Sequence, residues 1–419
     1  MPGQQLLEGV TVLDFTRVLA GPYCTRLLAD LGARVIKIER PRGDDMRVAP
    51  LQLDPQRSDQ STYFVRVNAG KRSLALDLGH AEARAVAKDL VRAADVLVEN
   101  FTPGVMGRLG LDYAATAALK PDLVYCSISG YGQTGPWRDR PAFAHVVHAT
   151  SGLMHLQRDG DDPPQVSYLQ AADVLAGTHA FGAILAALLR RTRTGGGAHL
   201  DVSMLEALIG AEDISYGSVL NEGPPYPGAR AGMAVQRVGD DWIAFQVVGA
   251  LDLWPRLVAL LGRPELTRDP RFATPVARRE HWAELREIIV GWLGRFTSGE
   301  EALAALGAAR IPCAPVLRPA DVVSAPHLSA REAFPAVPHP TYGSVRVTAA
   351  PFHVDGTPVV PVGPAPYRPG EDTEAVLRDL LGYGPDRIAE LVRLGVVAGP
   401  GLASSRPPDR PLAGPPVDE

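Results

Sequence analysis

Short strand patterns and helical patterns alternate along the first 130 residues, and this alternation constrains the fold more than any other feature of the chain. Four apolar segments have the pattern of buried strands: VTVLDF (10–15), RVIKIE (34–39), DVLVEN (95–100) and DLVYCSIS (122–129). Two segments have a helical pattern: CTRLLADLGA (24–33) and HAEARAVAKDLVRAA (80–94). Strands that alternate with helices at this spacing predict a parallel sheet covered on both faces. The predicted fold class is α/β, with a doubly wound, Rossmann-like large domain.

A Pro/Gly-rich stretch, NEGPPYPGARAG, divides the chain and predicts a linker over 221–232. We expect the large domain to cover 1–220 and a smaller α+β domain to cover 233–325. Strand and helix patterns over 326–398 predict a return to the large domain. The last segment, 399–419, is rich in Pro, Arg and Gly, so we expect it to be disordered.

The composition excludes several classes of protein. The formal net charge is −5, which gives no electrostatic footprint for nucleic acid or for an anionic membrane. The three cysteines, Cys24, Cys126 and Cys313, are too far apart in sequence for a CxxC motif and do not form a disulfide framework. The N-terminal residues lack a signal-peptide pattern, and no apolar run reaches the roughly 18 residues of a membrane span. We therefore expect a cytoplasmic protein without nucleic-acid or membrane partners.

Common cofactor and metal motifs are absent from the sequence. The segment after the first strand, TRVLAGPYC, has one glycine where a dinucleotide site needs GxGxxG. NAGKRS resembles the end of a P-loop but lacks the earlier glycine. No GxSxG, HExxH or paired Cys/His spacing is present, which disfavours a serine hydrolase of that type and a metal site.

Polar side chains lie at the loop ends of the predicted sheet, and ligands of open α/β sheets bind outside the carboxyl ends of the strands. These side chains are Arg17, Arg40, Lys71, Asn100, Arg108 and Tyr131. Lys71 stands before a strand, SLALDL, and Arg108 lies in the helical turn after Asn100. Each cation alone is explained by a solvated surface charge. Several at successive strand ends favour a polyanionic ligand, which they would bind through charge-assisted hydrogen bonds.

A single carboxylate, Asp173, lies in the apolar segment YLQAADVLAGTHAFGAILAALL (168–189). Asp is a preferred N-cap residue, so helix capping explains its position as well as catalysis does. A helix N-terminus would also keep the carboxylate ionised. The surrounding small residues, including Ala176 and Gly177, leave room for a ligand to approach.

The amino-acid sequence resembles those of the family III CoA-transferases, the group of formyl-CoA and carnitine CoA-transferases. The resemblance runs from Leu6 to Val397 and includes these segments in order: LLEGVTVLDFTRVLAGPYCTRLLADLGARVIKIERPRGDD, NAGKRSLALDL, ADVLVENFTPGVMGRLGLDY, SISGYGQTGPWRDRPAF, AADVLAGTHAFGAILAALLRRTRTGGGAHLDVSMLEAL, IPCAPVLRPADVVSAPHL and GEDTEAVLRDLLGY. So many motifs in one order are specific for the superfamily, but they do not identify the substrate.

This resemblance implies a mechanism and a set of site residues. Asp173, with Gly177 four residues later, matches the family nucleophile, which forms acyl-aspartyl anhydride and aspartyl-CoA thioester intermediates. Coenzyme A enters as the substrate thioester, and no tightly bound cofactor or metal is implied. The implied CoA contacts are Arg17, Ala20, Arg40, Lys71, Asn100, Phe101, Arg108 and Tyr131. The resemblance also implies ring-shaped chains that interlock in a homodimer.

Two other functions remain open from the sequence. An α-methylacyl-CoA racemase of the same superfamily pairs its Asp with a His, and that position holds Phe143, although His145 and His148 are close by. A CoA-binding dimer without catalysis is the other alternative. Formyl-CoA transferase carries a glycine run over its site, whereas PPYPGARAGMAVQRV (224–238) has none. We therefore expect an acyl acceptor that is larger than, or different from, formate and oxalate.

Overall fold

The computed structural model describes residues 6–54, 56–158, 162–212, 215–223, 231–247 and 252–402. The chain forms two compact units. The first comprises Met1–Gln157, Pro163–Tyr226 and Ser329–Glu419, and the second comprises Arg158–Asp162 and Pro227–Leu328. Most of the segment expected to be a linker, and residues 403–419 of the tail expected to be disordered, lie outside the described residues.

The strands and helices are numbered in chain order. The strands are β1 Thr11–Asp14, β2 Arg34–Glu39, β3 Arg72–Leu76, β4 Val96–Glu99, β5 Val124–Ser129, β6 Ala198–Ser203, β7 Met233–Val238, β8 Asp241–Gln246, β9 Cys313–Pro315, β10 Ala336–His339, β11 Gly343–Arg346, β12 His353–Val354, β13 Thr357–Pro358 and β14 Val397–Ala398. The helices are α1 Ala20–Asp30, α2 Thr62–Asn68, α3 Ala81–Ala93, α4 Val105–Leu109, α5 Tyr113–Leu119, α6 Ala144–Thr150, α7 Leu153–Leu156, α8 Ala171–Thr194, α9 Met204–Ile209, α10 Ser215–Val219, α11 Leu253–Leu261, α12 Pro275–Glu280, α13 Trp282–Leu293, α14 Gly299–Ala308, α15 Pro319–Val323, α16 Pro326–Ala330, α17 Thr373–Leu381 and α18 Pro385–Arg393.

A seven-stranded sheet forms the centre of the first unit, in the order β14-β3-β2-β1-β4-β5-β6. All neighbouring pairs from β3 to β6 are parallel, and β14 adds to the edge of β3 in the antiparallel direction. The predicted large parallel sheet is therefore confirmed. The strand order reverses between β1 and β4, which is where open α/β sheets bind their ligands.

Apolar cores cover both faces of this sheet. Val12 and Leu13 are neighbours in β1, yet they belong to different cores because successive strand residues point to opposite faces. The core around Val12 packs against α1, α8 and α9, and the core around Leu13 packs against α3, α17 and α18. This arrangement leaves the carboxyl ends of the strands as the open edge where a ligand can bind.

Helix α8 is 24 residues long and is apolar enough, by length and composition alone, to cross a membrane. The sequence analysis, which found no apolar run of that length, did not anticipate this. The helix packs against α1, β5, β6 and α9 in the first unit. Its apolar side chains, such as Ile184 and Leu188, belong to the core of this unit, as in the central helix of a globular domain.

The second unit contains the sheet β7-β8-β9 and helices α11 to α14. β7 and β8 form a hairpin whose turn is Gly239–Asp240, with Gly239 in the left-handed region at φ 59°. The hairpin is formed by the segment MAVQRVGDDWIAFQ. Its core includes Trp254, Phe272 and Ile289.

Candidate active site

Asp173 lies in the first turn of α8, and its side chain is partly buried. The helix begins at Ala171 and its N-cap is Gln170, so Asp173 is the third helical residue. The expectation that Asp173 precedes and caps the helix is therefore wrong. Ala171 and Ala172 are strong helix formers, so the helix begins before Asp173 and not after it. The carboxylate nevertheless stays at the positive end of the helix.

The backbone N–H of Ala20 lies close enough to the Asp173 carboxylate to stabilise its negative charge and so to lower its pKa. Ala20 is the first residue of α1, so the N-termini of two helices meet at this carboxylate. Burial raises the pKa of Asp173 to about 6, while the Ala20 N–H and the charge of His145 act in the opposite direction. At neutral pH the carboxylate is therefore mostly ionised although water solvates it poorly, and such perturbed carboxylates are typical of catalytic sites.

Two glycines allow the close approach that brings Ala20 to Asp173. A Cβ on Gly177 of α8 would lie 2.5 Å from the backbone oxygen of Ala20. A Cβ on Gly21 would lie 2.3 Å from Thr16 Cβ. No side chain fits at either position without moving its neighbour, so both glycines set the separation between α8, α1 and the loop before α1.

The loop between β1 and α1 is held from two sides. Asn100, which follows β4, accepts a hydrogen bond from Arg17 N–H and donates one to Arg17 O, both at 2.8 Å. Lys37 Nζ donates to Thr16 O at 2.9 Å. Val18 has φ 67°, a strained conformation for a β-branched residue. The hydrogen bonds from Asn100 and Lys37 hold the loop in this conformation, and the loop ends at Ala20.

Lys71 lies beneath this loop and does not reach the cleft that contains Asp173. Its ammonium is fully buried, 2.9 Å from Asp14 Oδ2, and donates further bonds to Pro22 O and Asn68 Oδ1. The Lys71 side chain therefore does not face this cleft, and contact between the Lys71 segment and coenzyme A stays a prediction. A lysine with three partners and no exposure acts as an ion-pair partner that holds β1, α1 and α2 together.

A cleft of about 310 Å³ opens in front of Asp173 at the carboxyl ends of β1, β4 and β5. Its lining includes four of the predicted site residues besides Asp173, namely Arg17, Ala20, Asn100 and Phe101. The Asn100 amide is hydrogen-bonded to the backbone N–H and C=O of Arg17, so this side chain holds the loop between β1 and α1. The Arg17 guanidinium lies over the Phe101 ring, 5.0 Å from its centroid.

A second cavity of about 230 Å³ adjoins the first, and Arg17 and Phe101 line both. Apolar side chains such as Phe15, Leu76 and Leu109 form much of its wall, and Arg40 stands at its edge. Arg40 binds Asp45 at 2.6 Å, but its buried Nε has no hydrogen-bond partner among the described residues. The two cavities together can hold an elongated ligand with an anionic group near Arg17 and Arg40.

Two predicted contacts lie apart from these cavities. Arg108 is an exposed residue of α4, and Tyr131 packs its ring edge-on against Trp137 with the centroids 5.8 Å apart. Neither Arg108 nor Tyr131 is among the described residues that line the two cavities. Whether they contact a bound ligand stays a prediction.

The sequence analysis missed several residues at the cleft. Arg138 and Arg140 line it, and both lie in a motif that was quoted without these residues being singled out. Phe143, which the sequence places at the racemase histidine position, lines the cleft as well, with 68% of its surface exposed. Tyr63 donates a hydrogen bond to Gln170 Oε1 at 3.2 Å, which ties α2 to the start of α8. No local pattern signals this contact between residues 107 positions apart.

Known proteins that are similar to this chain are CoA-transferases. The family model described as CoA-transferase family III matches residues 7–373. The chain is 34% identical over 416 residues to the formyl-CoA:oxalate CoA-transferase of Streptomyces coelicolor, covering 93% of this chain and 99% of that protein. It is 33% identical over 400 residues to the succinyl-CoA:glutarate CoA-transferase of Mus musculus, covering 93% of this chain and 90% of that protein.

Solved structures give the same result. A CAIB/BAIF family protein from Brucella suis matches with a TM-score of 0.75 and 31% identity, covering 90% of this chain and all of that one. Rv3272 from M. tuberculosis matches with a TM-score of 0.78 and 30% identity, covering 88% of this chain and 99% of that one. The chain belongs to CoA-transferase family III.

Proposed function

We propose that this enzyme moves coenzyme A from a donor acyl-CoA to an acceptor carboxylic acid, with Asp173 as the covalent nucleophile. The observation that carries the proposal is the partly buried Asp173 carboxylate, which lies in the cleft and whose charge the Ala20 N–H at the start of α1 stabilises. A carboxylate with a raised pKa keeps its charge at neutral pH and loses part of its hydration, which favours attack on a carbonyl.

The proposed reaction needs no net proton transfer. An Asp173 oxygen attacks the donor thioester carbonyl, the C–S bond breaks, and an acyl-aspartyl anhydride and CoA thiolate form. The thiolate attacks the Asp173 carbonyl, releasing the donor acid and leaving an aspartyl-CoA thioester. The acceptor carboxylate then attacks this thioester and displaces the thiolate to give a second anhydride. The thiolate finally attacks the acceptor carbonyl, which produces the new acyl-CoA and frees Asp173.

Coenzyme A is proposed as a substrate that spans the two adjoining cavities. Its phosphates would bind near Arg17 and Arg40, and the unpartnered Arg40 Nε supports this because it can donate to a phosphate oxygen. The pantetheine arm would pass Phe101 and reach Asp173 through the cleft. The acceptor is proposed only as a carboxylic acid, the class to which the oxalate and glutarate in the relatives' names belong.

The racemase alternative is weakened by the residues around the cleft. Racemisation needs a second proton-transfer group opposite the nucleophile, whereas Phe143 lines the cleft and cannot carry a proton. His148 is fully buried and its Nε2 already accepts a backbone N–H. A CoA-binding protein without catalysis would not need a carboxylate with a raised pKa in its cleft.

The decisive experiment looks for coenzyme A on Asp173. The wild-type enzyme is incubated with an acyl-CoA, quenched and digested, and the peptide containing Asp173 is examined by mass spectrometry with and without hydroxylamine. We expect a hydroxylamine-sensitive adduct, which Asp173→Asn abolishes. Asp386→Asn is the matched control because Asp386 is an exposed acid in the first turn of α18. Transfer that continues in Asp173→Asn would contradict the proposal, and α-proton exchange in heavy water without an adduct would indicate a racemase.

A homodimer and a cytoplasmic location are further parts of the proposal. Exposed apolar side chains occur on α6 and just before α8 in the first unit, including Phe143, Val146, Tyr168 and Leu169. A second copy of the chain would cover such a surface. Cys24, Cys126 and Cys313 are all free, which fits a reducing compartment. Sedimentation at micromolar concentration tests the dimer, and a monomer would contradict it.

A further inference from the structure

His148 lies beside the start of the helix that carries Asp173. It is a residue of α6, and its side chain is fully buried where α6 packs against α8. Its Nε2 lies 3.2 Å from the backbone nitrogen of Ala172, which donates the hydrogen bond. Ala172 is the residue directly before Asp173, so the imidazole is attached to the backbone one peptide unit from the carboxylate.

This hydrogen bond serves a helix end that lacks a local cap. The first N–H groups of a helix have no partner within the helix, and an N-cap side chain usually accepts one of them. The N-cap of α8 is Gln170, which makes no side-chain capping bond and instead accepts the Tyr63 hydroxyl proton. His148 supplies the missing acceptor from another helix.

The geometry fixes the protonation of His148. Because the Ala172 N–H donates to Nε2, this nitrogen must carry its lone pair, and the proton must be on Nδ1. Nδ1 is buried and has no hydrogen-bond partner among the described residues. Burial, and then the charge of His145, lower the pKa of His148, which favours the neutral ring that the bond requires.

We propose that His148 is a positioning residue for Asp173, holding the first turn of α8 so that the carboxylate meets the Ala20 N–H. This inference rests on the proposed function, because it assigns His148 a role in placing the nucleophile. His148 itself does not touch the reacting atoms. Its contribution should appear in the catalytic rate more than in substrate binding, since a small displacement of the nucleophile slows attack while the coenzyme A contacts remain.

Three variants test the proposal. His148→Leu removes the acceptor at similar volume, and we expect kcat to fall roughly 10- to 100-fold while KM for acyl-CoA stays within about threefold. His148→Gln keeps an oxygen that can accept the Ala172 N–H, so we expect most of the kcat to return. His80→Leu is the matched control, because His80 Nδ1 accepts the Glu82 N–H at 3.2 Å as the N-cap of α3. We expect this variant to lower stability without lowering kcat.

A measurement on the wild-type enzyme keeps the proposal falsifiable if a variant fails to fold. Nitrogen-15 spectra of histidine-labelled protein should show His148 as the neutral Nδ1–H tautomer at pH 7. A protonated Nε2, an unchanged kcat in His148→Leu, or equal losses in His148→Leu and His148→Gln would each overturn it. These results are independent of the adduct on Asp173. If transfer survives in Asp173→Asn, the proposed function fails. If Asp173→Asn is inactive but His148→Leu keeps full activity, the proposed function stands and the positioning role fails.

Discussion

Asn100 and Arg17 join the loops that follow β4 and β1 through two 2.8 Å hydrogen bonds, in which the Asn100 amide both accepts from and donates to the Arg17 backbone. The side chain thereby continues the pairing between the two strands past their ends. This contact lies where the strand order reverses, beside the cleft that contains Asp173. It places the loop that leads to Ala20, so a defect in this pair should affect catalysis through the loop.

We predict that Asn100→Ala destabilises the fold by about 1–2 kcal/mol, because two backbone groups lose their partners. The released loop should also lower kcat/KM by roughly tenfold or more. Asn100→Asp keeps an acceptor for the Arg17 N–H but loses the donor, so its loss of stability should be intermediate. Urea unfolding and steady-state kinetics measure both effects. Unchanged stability in Asn100→Ala would show that the paired bonds do not hold the loop.

The pH dependence of the rate should report the ionisation of Asp173. Its pKa is raised to about 6 by burial, and only the carboxylate form can act as the proposed nucleophile. We therefore expect kcat/KM to rise with pH through a midpoint near 6 and then to reach a plateau. A profile over pH 4.5–8 tests this, with acyl-CoA binding measured in parallel because the phosphate monoester of every acyl-CoA also titrates at about pH 6. A midpoint near 4, the ordinary value for Asp, would contradict the effect of burial.

Asp173→Asn should make the folded state more stable at neutral pH. The folded pKa is raised above the unfolded value, so the ionised carboxylate costs stability as pH rises from 3.8 through about 6. Removing that cost should add up to about 3 kcal/mol at pH 7.5 and almost nothing near pH 3.5. Urea unfolding of both proteins at the two pH values measures the difference. A variant that is less stable than wild type at pH 7.5 would contradict the prediction.

Gly177→Ala should separate α8 from α1. The new Cβ would meet the Ala20 backbone oxygen at 2.5 Å, so the helices must move apart and the stabilisation of the Asp173 charge by the Ala20 N–H should weaken. We expect kcat to fall by about 100-fold and stability to fall by about 1–3 kcal/mol.

Gly182→Ala is the matched control for this substitution on the same helix. A Cβ at Gly182 meets nothing within 4 Å, so the change should stabilise α8 by about 0.5–1 kcal/mol and leave kcat unchanged. Thermal unfolding and initial rates compare the two variants. Equal behaviour of both would show that the approach of α8 to α1 does not set the geometry of the site.

Much of the fold follows from local patterns in the sequence. The segment RVIKIE predicted a strand with the bounds that β2 has, because it is rich in β-branched residues and follows the glycine that ends the preceding helical pattern. Helix α1 begins at Ala20, whereas the pattern placed its start at Cys24. The helix includes Pro22 because a proline in the first turn of a helix loses no hydrogen bond.

The parts of the site that could not be predicted depend on contacts between distant residues. Lys71 was expected to bind the ligand, yet its partner Asp14 is 57 positions away and no pattern links the two. The bond from Ala172 to His148 crosses 24 positions and depends on how α6 packs. Asp173 was found because its neighbours match a family motif, and its surroundings became visible only with the packing of α1 against α8.

The short strand β14 has a consequence for how the protein is made. Val397 and Ala398 complete the sheet at the edge of β3, and α17 and α18 cover the core around Leu76. The ribosome must therefore synthesise the chain as far as Ala398 before the sheet of the first unit can be completed. Until then the edge of β3 is free to pair with another nascent chain, so synthesis at high rate should favour aggregation unless a chaperone protects this edge. An expressed piece that stops before residue 397 should share this fate, whichever residues of the catalytic cleft it contains.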